Sequence, residues 1–351
     1  MTAAVTLLML LLLLAIAEGA VRVRQWIKYG HAGTLDQYFA IDPMLNLKVP
    51  VAGARTKTTR INSLGFRGPE IPAVKPAGYL RIAFLGASTT YCAEASSNEA
   101  TWPHLVAEAL RKTYPNIDYV NAAVPGYGLR AMHRALSVRV AQLQPDVIVI
   151  YEAANELSSE TRELAIRQGI YRKAESSNSF TEHSLLWFLL EKNLRIVRLK
   201  QEAAKQQARL EFEPADLGQS FHKQLSELIE EARRVAPVVA VPTFSHRIRA
   251  EQAAEQQLQA AASALYYMPY MTPELLIKSF ARYNEIIREV ARATSAVLIE
   301  GEMEIPGDDT HFNDTVHFKD AGSRVMAARV AKGLLGSPEF QALLKRPAVG
   351  A

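Results

Sequence analysis

Ser88 closes an apolar run, Tyr79–Leu85, and sits among small residues in Gly86-Ala87-Ser88-Thr89-Thr90. Small neighbours let a backbone turn sharply and let a substrate carbonyl approach, and a helix starting there points amides at developing negative charge. On its own, a Gly-x-Ser after a strand is an ordinary turn. A phosphate loop is the other local reading, but neither a Gly-x-Gly-x-x-Gly run nor a Gly-Lys-Ser/Thr ending is present. Towards the other end, Asp314-Thr315-Val316-His317 sets a carboxylate three residues before an imidazole. Such a carboxylate can accept the Nδ1 proton of the ring, leaving Nε2 to take a proton from a serine hydroxyl. Asp308, Asp309 and His311 stand close by, so the pair is not unique, and a polar cluster at a helix start would read the same way.

Two further pieces lie between these. Gly126, in Pro125-Gly126-Tyr127, offers a backbone amide, and Asn155, in Ala154-Asn155-Glu156, offers a side-chain amide. Each alone is a loop residue. Together the four pieces supply what acyl transfer needs: a nucleophile, a base with its orienting acid, and donors for an oxyanion.

The elements that must position them alternate. Apolar runs at 79–85, 117–124, 146–151, 237–241 and 296–300 read as strands. Helical periodicity occupies 101–114, 130–143, 221–235, 274–294 and 321–335. Strands alternating with helices imply a parallel sheet covered on both faces, here a three-layer α/β/α sandwich of five strands, with ligands at the carboxyl ends of the strands. Helix-rich inserts near 158–215 and 246–273 interrupt the rhythm, and a lead-in of short strands and loops fills 29–78.

In order, Gly86–Thr90, Asn121–Gly126, Asn155 and Asp314–His317 resemble the blocks of the SGNH (GDSL-type) hydrolase superfamily, over about residues 79–335. Ile61–Gly68 is similar to the lead-in of its membrane-anchored bacterial members. The resemblance implies a flavodoxin-like sandwich and ester hydrolysis through an acyl-serine, with no metal or organic cofactor. It implies Ser88 as nucleophile and amide donor, Gly126 and Asn155 as the other oxyanion donors, and His317 as base oriented by Asp314. The chain departs from the pattern at Ala87, where Asp is usual, at Ala153, where glycine is frequent, and at Glu156, where Asp is frequent. The Ala153 methyl is expected to narrow the oxyanion hole.

Whole-chain properties set the class. The 351 residues are 49% hydrophobic and 22% charged, which excludes whole-chain disorder. A net charge of +4 is too thin for a nucleic-acid partner. Cys92 is the single cysteine, which excludes an internal disulfide or a Cys-based zinc cluster, and it reads as a small buried residue. Residues 1–17 carry no charge and are leucine-rich, so 1–28 reads as a membrane anchor or a signal segment. Ala15-Ile16-Ala17 suits cleavage, yet no Lys or Arg precedes the run, and Arg22, Arg24 and Lys28 follow it. Those cations would hold the downstream chain in the cytoplasm, against the extracytoplasmic domain that the resemblance implies.

Other candidates have simpler readings. His246, after the fourth strand, sits at the expected active edge and is a candidate substrate contact, with a surface loop as the alternative. His104, His133, His183 and His222 read as structural. The basic stretch Lys192–Arg209 reads as a solvated face, or as a contact for anionic lipid or polymer. Tyr266–Tyr270 reads as core or lid packing rather than a substrate contact. Three functions follow: an esterase acting on a short acyl ester of a carbohydrate or envelope glycan, an O-acyltransferase using the same site, or a non-catalytic envelope or polysaccharide-export binding component. Oligomeric state is not legible.

Overall fold

Five strands are largely apolar because helices cover both faces of the sheet they form. In the computed structural model, residues 2–29, 38–171, 184–187, 189, 190, 194 and 210–345 are described. The central sheet comprises β3 (Leu80–Gly86), β4 (Ile117–Asn121), β5 (Val147–Tyr151), β6 (Val238–Pro242) and β7 (Val297–Ile299). Its order is β4-β3-β5-β6-β7 and every pairing is parallel. The order reverses direction about β3, so a crevice opens where the chain leaves β3 and β5 to opposite sides. All residues of β4, β5 and β6 are buried.

Helices α2 (Ser88–Tyr91), α3 (Trp102–Arg111), α4 (Leu129–Ala135), α5 (Ala154–Arg167) and α6 (Gln219–Val235) follow in the first half of this unit. Then come α7 (Ala254–Tyr267), α8 (Pro273–Ala293), α9 (Asp320–Gly336) and α10 (Pro338–Leu344). α3 packs on α9, and α6 packs on α4 and α8. The pattern that makes α6 a covering helix is a stripe of Phe221, Leu225, Leu228, Ile229 and Ala232, all buried. α4 continues through a π turn at Leu136–Val140 and a 3-10 turn to Leu143. The pair Arg81–Asp118 locks the β3–β4 register: Arg81 Nε and Nη2 donate to the two carboxylate oxygens at 2.8 and 2.7 Å, and these residues face each other across the ladder.

The lead-in forms an antiparallel hairpin, β1 (Phe39–Asp42) with β2 (Leu47–Pro50), followed by a loop organised by Asn62. The Asn62 Oδ1 accepts from Leu64 N and Phe66 N, and its Nδ2 donates to Pro69 O. That loop delivers Arg67, fully buried, against the end of α2. Ahead of it, α1 (Thr2–Tyr29) is a largely exposed helix. Its stretch Ala4–Ile27, with mean hydropathy 2.4 and none of it buried, is long and apolar enough to cross a membrane.

Several ends differ from the sequence expectation. The second sheet strand stops at Asn121 rather than running to 124, because the Asn121 side chain turns to donate to Thr90 O. α5, Ala154–Arg167, covers the start of the helix-rich stretch expected from about 158. The short α2 and the terminal α10 carry too few turns for periodicity to show. The basic stretch 192–209 lies outside the described residues apart from Leu194, as does His183.

Candidate active site

Ser88 is the first residue of α2, directly after β3. The turn requires glycine at 86: a Cβ there would stand 2.1 Å from Thr90 Oγ1 and 2.7 Å from Tyr151 O on the neighbouring strand. As the opening residue of a helix, Ser88 has an amide with no intrahelical acceptor. Behind it, Arg67 holds the far end of α2. Its Nη1 donates to Tyr91 O at 2.9 Å and Cys92 O at 2.6 Å, and its Nε donates to Asn98 Oδ1 at 3.1 Å.

Asp314 and His317 lie in the loop between β7 and α9. Asp314 Oδ1 accepts from the backbone amides of Val316 and His317, both at 2.9 Å, which folds the loop into a turn about the carboxylate. Its other oxygen, Oδ2, lies 2.7 Å from His317 Nδ1. On the opposite edge of the ring, Nε2 is 2.7 Å from Ser88 Oγ. The three groups therefore form one line of hydrogen bonds, carboxylate to imidazole to hydroxyl. Asp308 and His311 make the same local turn, with Asp308 Oδ1 2.8 Å from His311 Nδ1, but only the later pair reaches Ser88.

Burial alone would lower the His317 pKa. The hydrogen bond and charge of Asp314, with Glu94 behind them, outweigh burial and hold it above the ordinary imidazole value. Burial would likewise raise the Asp314 carboxyl, but the bonds from His317 and Val316 and the His317 charge keep it below the ordinary carboxylate range. A base of raised pKa beside a fixed anion can take the Ser88 proton as Oγ attacks a carbonyl, then return it to the leaving alcohol.

Gly126 and Asn155 line the same cavity as Ser88, Asp314 and His317. Gly126 has φ +88°, a backbone region that glycine enters without strain. Among the described residues neither the Gly126 nor the Ser88 amide donates within the protein. Asn155 lies in the first turn of α5, after β5, and its Nδ2 gives one proton to Tyr127 O at 2.8 Å, leaving the second free. Ala153 is fully buried and is not part of the cavity wall, so its methyl does not narrow the hole as expected.

Some participants carry no local signal in the sequence. Thr315, between Asp314 and His317, is buried and tied to α7 of the second insert: its Oγ1 donates to Ala260 O at 2.7 Å and accepts from Ser263 Oγ at 2.9 Å. Glu152, also on the cavity wall, accepts from the Asn155 amide at 2.6 Å, and burial pushes its carboxyl up to about 8. His246 is a correction. It is buried and stacked on Phe280 at 4.6 Å, and Phe280, not His246, lines the cavity. Burial, with the charge of Arg249, pushes its pKa down to about 3. Cys92 is buried at the end of α2, and burial holds its thiol at about 12, out of reach of nucleophilic chemistry. Of Tyr266–Tyr270, Tyr267 and Met268 line the cavity, and Tyr270 is buried against Tyr171.

The cavity holds about 1160 Å³ and is walled by many polar groups, among them Arg130, Ser158, Ser159, Gln219 and Gln224. Among the described residues no three His, Cys, Asp or Glu side chains gather as a metal-binding group.

A search of curated proteins finds no match. In fold the chain is similar to an acetylxylan esterase from Geobacillus stearothermophilus, 15% identical with a TM-score of 0.45, over 76% of this chain and 98% of that one. It is also similar to an alpha/beta hydrolase enzyme from the metagenome of Lake Arreo, Spain, 14% identical with a TM-score of 0.43, over 75% of this chain and all of that one. Residues 84–325, from Phe84 on β3 into α9, match the GDSL-like Lipase/Acylhydrolase family. With the match spanning most of the length, this chain belongs to that family and is a hydrolase of ester bonds.

Proposed function

We propose that the chain is a serine esterase that removes a short acyl group, of acetyl size, from a carbohydrate or envelope glycan. Ser88 Oγ attacks the ester carbonyl while His317 Nε2 takes its proton, and the oxyanion is held by the amides of Ser88 and Gly126 and the free Nδ2 proton of Asn155. The alcohol leaves with the proton from His317, and water then attacks the acyl-serine by the same route. The observation that carries this reading is the unbroken line from Asp314 through His317 to Ser88, each step 2.7 Å.

The lining supports the substrate class. The cavity wall is rich in hydroxyls, amides and charged groups, which suit a polyhydroxylated alcohol, whereas a long acyl chain would need an apolar tunnel. Small side chains on the cavity wall, Ala93, Ala154 and Val316, suit a short acyl group.

α1 tethers the enzyme to a membrane, and an envelope glycan as substrate puts the hydrolase outside the cytoplasm. Turnover of acetylated oligosaccharides and of a chromogenic acetyl ester, lost in Ser88→Ala, tests the activity. Acetyl esters should outrun octanoyl esters, and the opposite order would sink the acyl assignment. Alkaline phosphatase fused after Leu344, active only outside the cytoplasm, tests the side.

A further inference from the structure

The two candidate oxyanion donors outside Ser88 are tied to one short stretch, Glu152-Ala153-Ala154-Asn155-Glu156, where β5 ends and α5 begins. Glu152 Oε1 accepts from the Asn155 backbone amide at 2.6 Å, which fixes the residue that supplies Nδ2. That Nδ2 donates to Tyr127 O at 2.8 Å, in the loop that carries Gly126. Glu156 Oε1 accepts from Leu129 N at 2.6 Å and pins the far end of the same loop. A Cβ at position 128 would stand 2.4 Å from that oxygen, so glycine lets the carboxyl in. Two carboxyls, one on each side of Asn155, therefore hold the side-chain donor and the loop of the backbone donor in one frame.

Glu152 is the unusual member. It is 5% exposed and lines the cavity together with Ser88, Gly126 and Asn155. Among the described residues, the titratable groups that bear on it are Glu156 on α5, Tyr151 on β5 and Tyr283 on α8, none of them a cation. Arg130 on α4 and Glu160 on α5 bear on Glu156. A buried carboxylate without a cation is costly, and the group takes up a proton instead. Burial, with Glu156 behind it, outweighs the amides of Asn155 and Ala153 and pushes the carboxyl up to about 8.

We infer that Glu152 is a positioning residue of the oxyanion hole, an uncharged carboxyl that seats Asn155 and whose ionisation sets a negative charge in the wall where the oxyanion develops. This rests on the esterase reading of the same site. Oxyanion charge exists only in the transition state and the tetrahedral intermediate, so ionised Glu152 opposes turnover and leaves binding of the neutral ester alone. The alkaline loss therefore falls on kcat and not on KM. A glutamine at 152 keeps an acceptor for the Asn155 amide and cannot ionise.

Full-length wild type, Glu152→Gln and Ser88→Ala are assayed on a chromogenic acetyl ester across the neutral and alkaline range, with spontaneous hydrolysis subtracted. Circular dichroism at each pH shows that the fold is intact, and each kcat profile is scaled to its own maximum. The expected result is a wild-type kcat that falls about fivefold between pH 8 and pH 9 at constant KM. Glu152→Gln holds its kcat over the same range. Should that variant fail to fold, infrared spectra of the wild type decide: a protonated-carboxyl band must disappear in step with kcat. A level wild-type kcat, a fall shared by Glu152→Gln, or a fall with no such band would overturn the proposal and leave the esterase reading standing. Absence of any Ser88-dependent turnover would overturn both.

Discussion

Ser263 and Thr315 clasp each other twice: the Ser263 hydroxyl donates to Thr315 Oγ1 at 2.9 Å and accepts from the Thr315 amide at 3.0 Å. One lies on α7 of an insert and the other sits between the acid and the base of the candidate site. The insert is therefore a brace for the loop that aims His317. Thr315→Val keeps the volume but removes the side-chain bonds to Ser263, Ala260 and Ala264, leaving only the Thr315 amide on Ser263 Oγ to hold α7. It should lower kcat about 10- to 100-fold with little change in KM, the cost of misplacing a base by a fraction of an ångström to an ångström. An unchanged kcat would show that the loop holds itself.

The pH profile reads the base. Against burial, Asp314 holds the His317 pKa above the ordinary imidazole value in the folded chain, and the proposed mechanism needs the neutral ring. For His317 alone, activity is thus complete at higher pH, and kcat/KM falls about tenfold per unit once pH drops below that raised pKa. Asp314→Asn removes the charge that lifts it. The acid limb should then move to lower pH, while kcat drops on the order of 10⁴-fold because the ring loses its orienting acceptor. A limb at the same pH in both proteins would remove His317 from the titration.

Glu152 should be neutral at pH 7, since burial raises its pKa from 4.5 to about 8. A carboxyl whose pKa is raised on folding costs stability as pH climbs from its unfolded value to its folded one, and nothing further above that. Glu152→Gln keeps an acceptor for the Asn155 amide and removes the ionisation. Its unfolding free energy should match the wild type near pH 4 and exceed it increasingly towards pH 8, by up to about 4 kcal/mol at ~1.36 kcal/mol per unit. A gap independent of pH would contradict the assignment.

Arg67 joins the lead-in to the far end of the nucleophile's helix. It also donates to Thr58 O at 3.1 Å and Ser97 O at 3.3 Å, so Arg67→Ala would leave several buried carbonyls unpaired. The expected loss is about 3 kcal/mol or more, seen as a fall in Tm. Arg67→Lys, with one nitrogen for so many acceptors, should recover only part of it. Full recovery by Lys would reduce the role of Arg67 to charge alone.

The sheet was legible because parallel strands buried on both faces read as unbroken apolar runs, and α6 and α8 because their buried stripes repeat at helical spacing. What depends on tertiary neighbours was not. Asp308–His311 and Asp314–His317 are the same motif on paper, and only the fold brings one of them to Ser88. His246 stands at the active edge in sequence, but a loop residue can turn either way, and this one turns inward onto Phe280. The Thr315 brace depends on a helix some fifty residues earlier, and Glu152 on burial that β5 alone does not reveal.

The central claim is that Ser88 carries the acyl group. Full-length protein is mixed with a chromogenic acetyl ester, quenched in acid during turnover, and its peptides are mapped by mass spectrometry. The account predicts a single acetyl adduct on the Ser88 peptide, with adduct and turnover both absent in Ser88→Ala. Turnover that persists in Ser88→Ala, or an adduct on any other residue that tracks turnover, would contradict it.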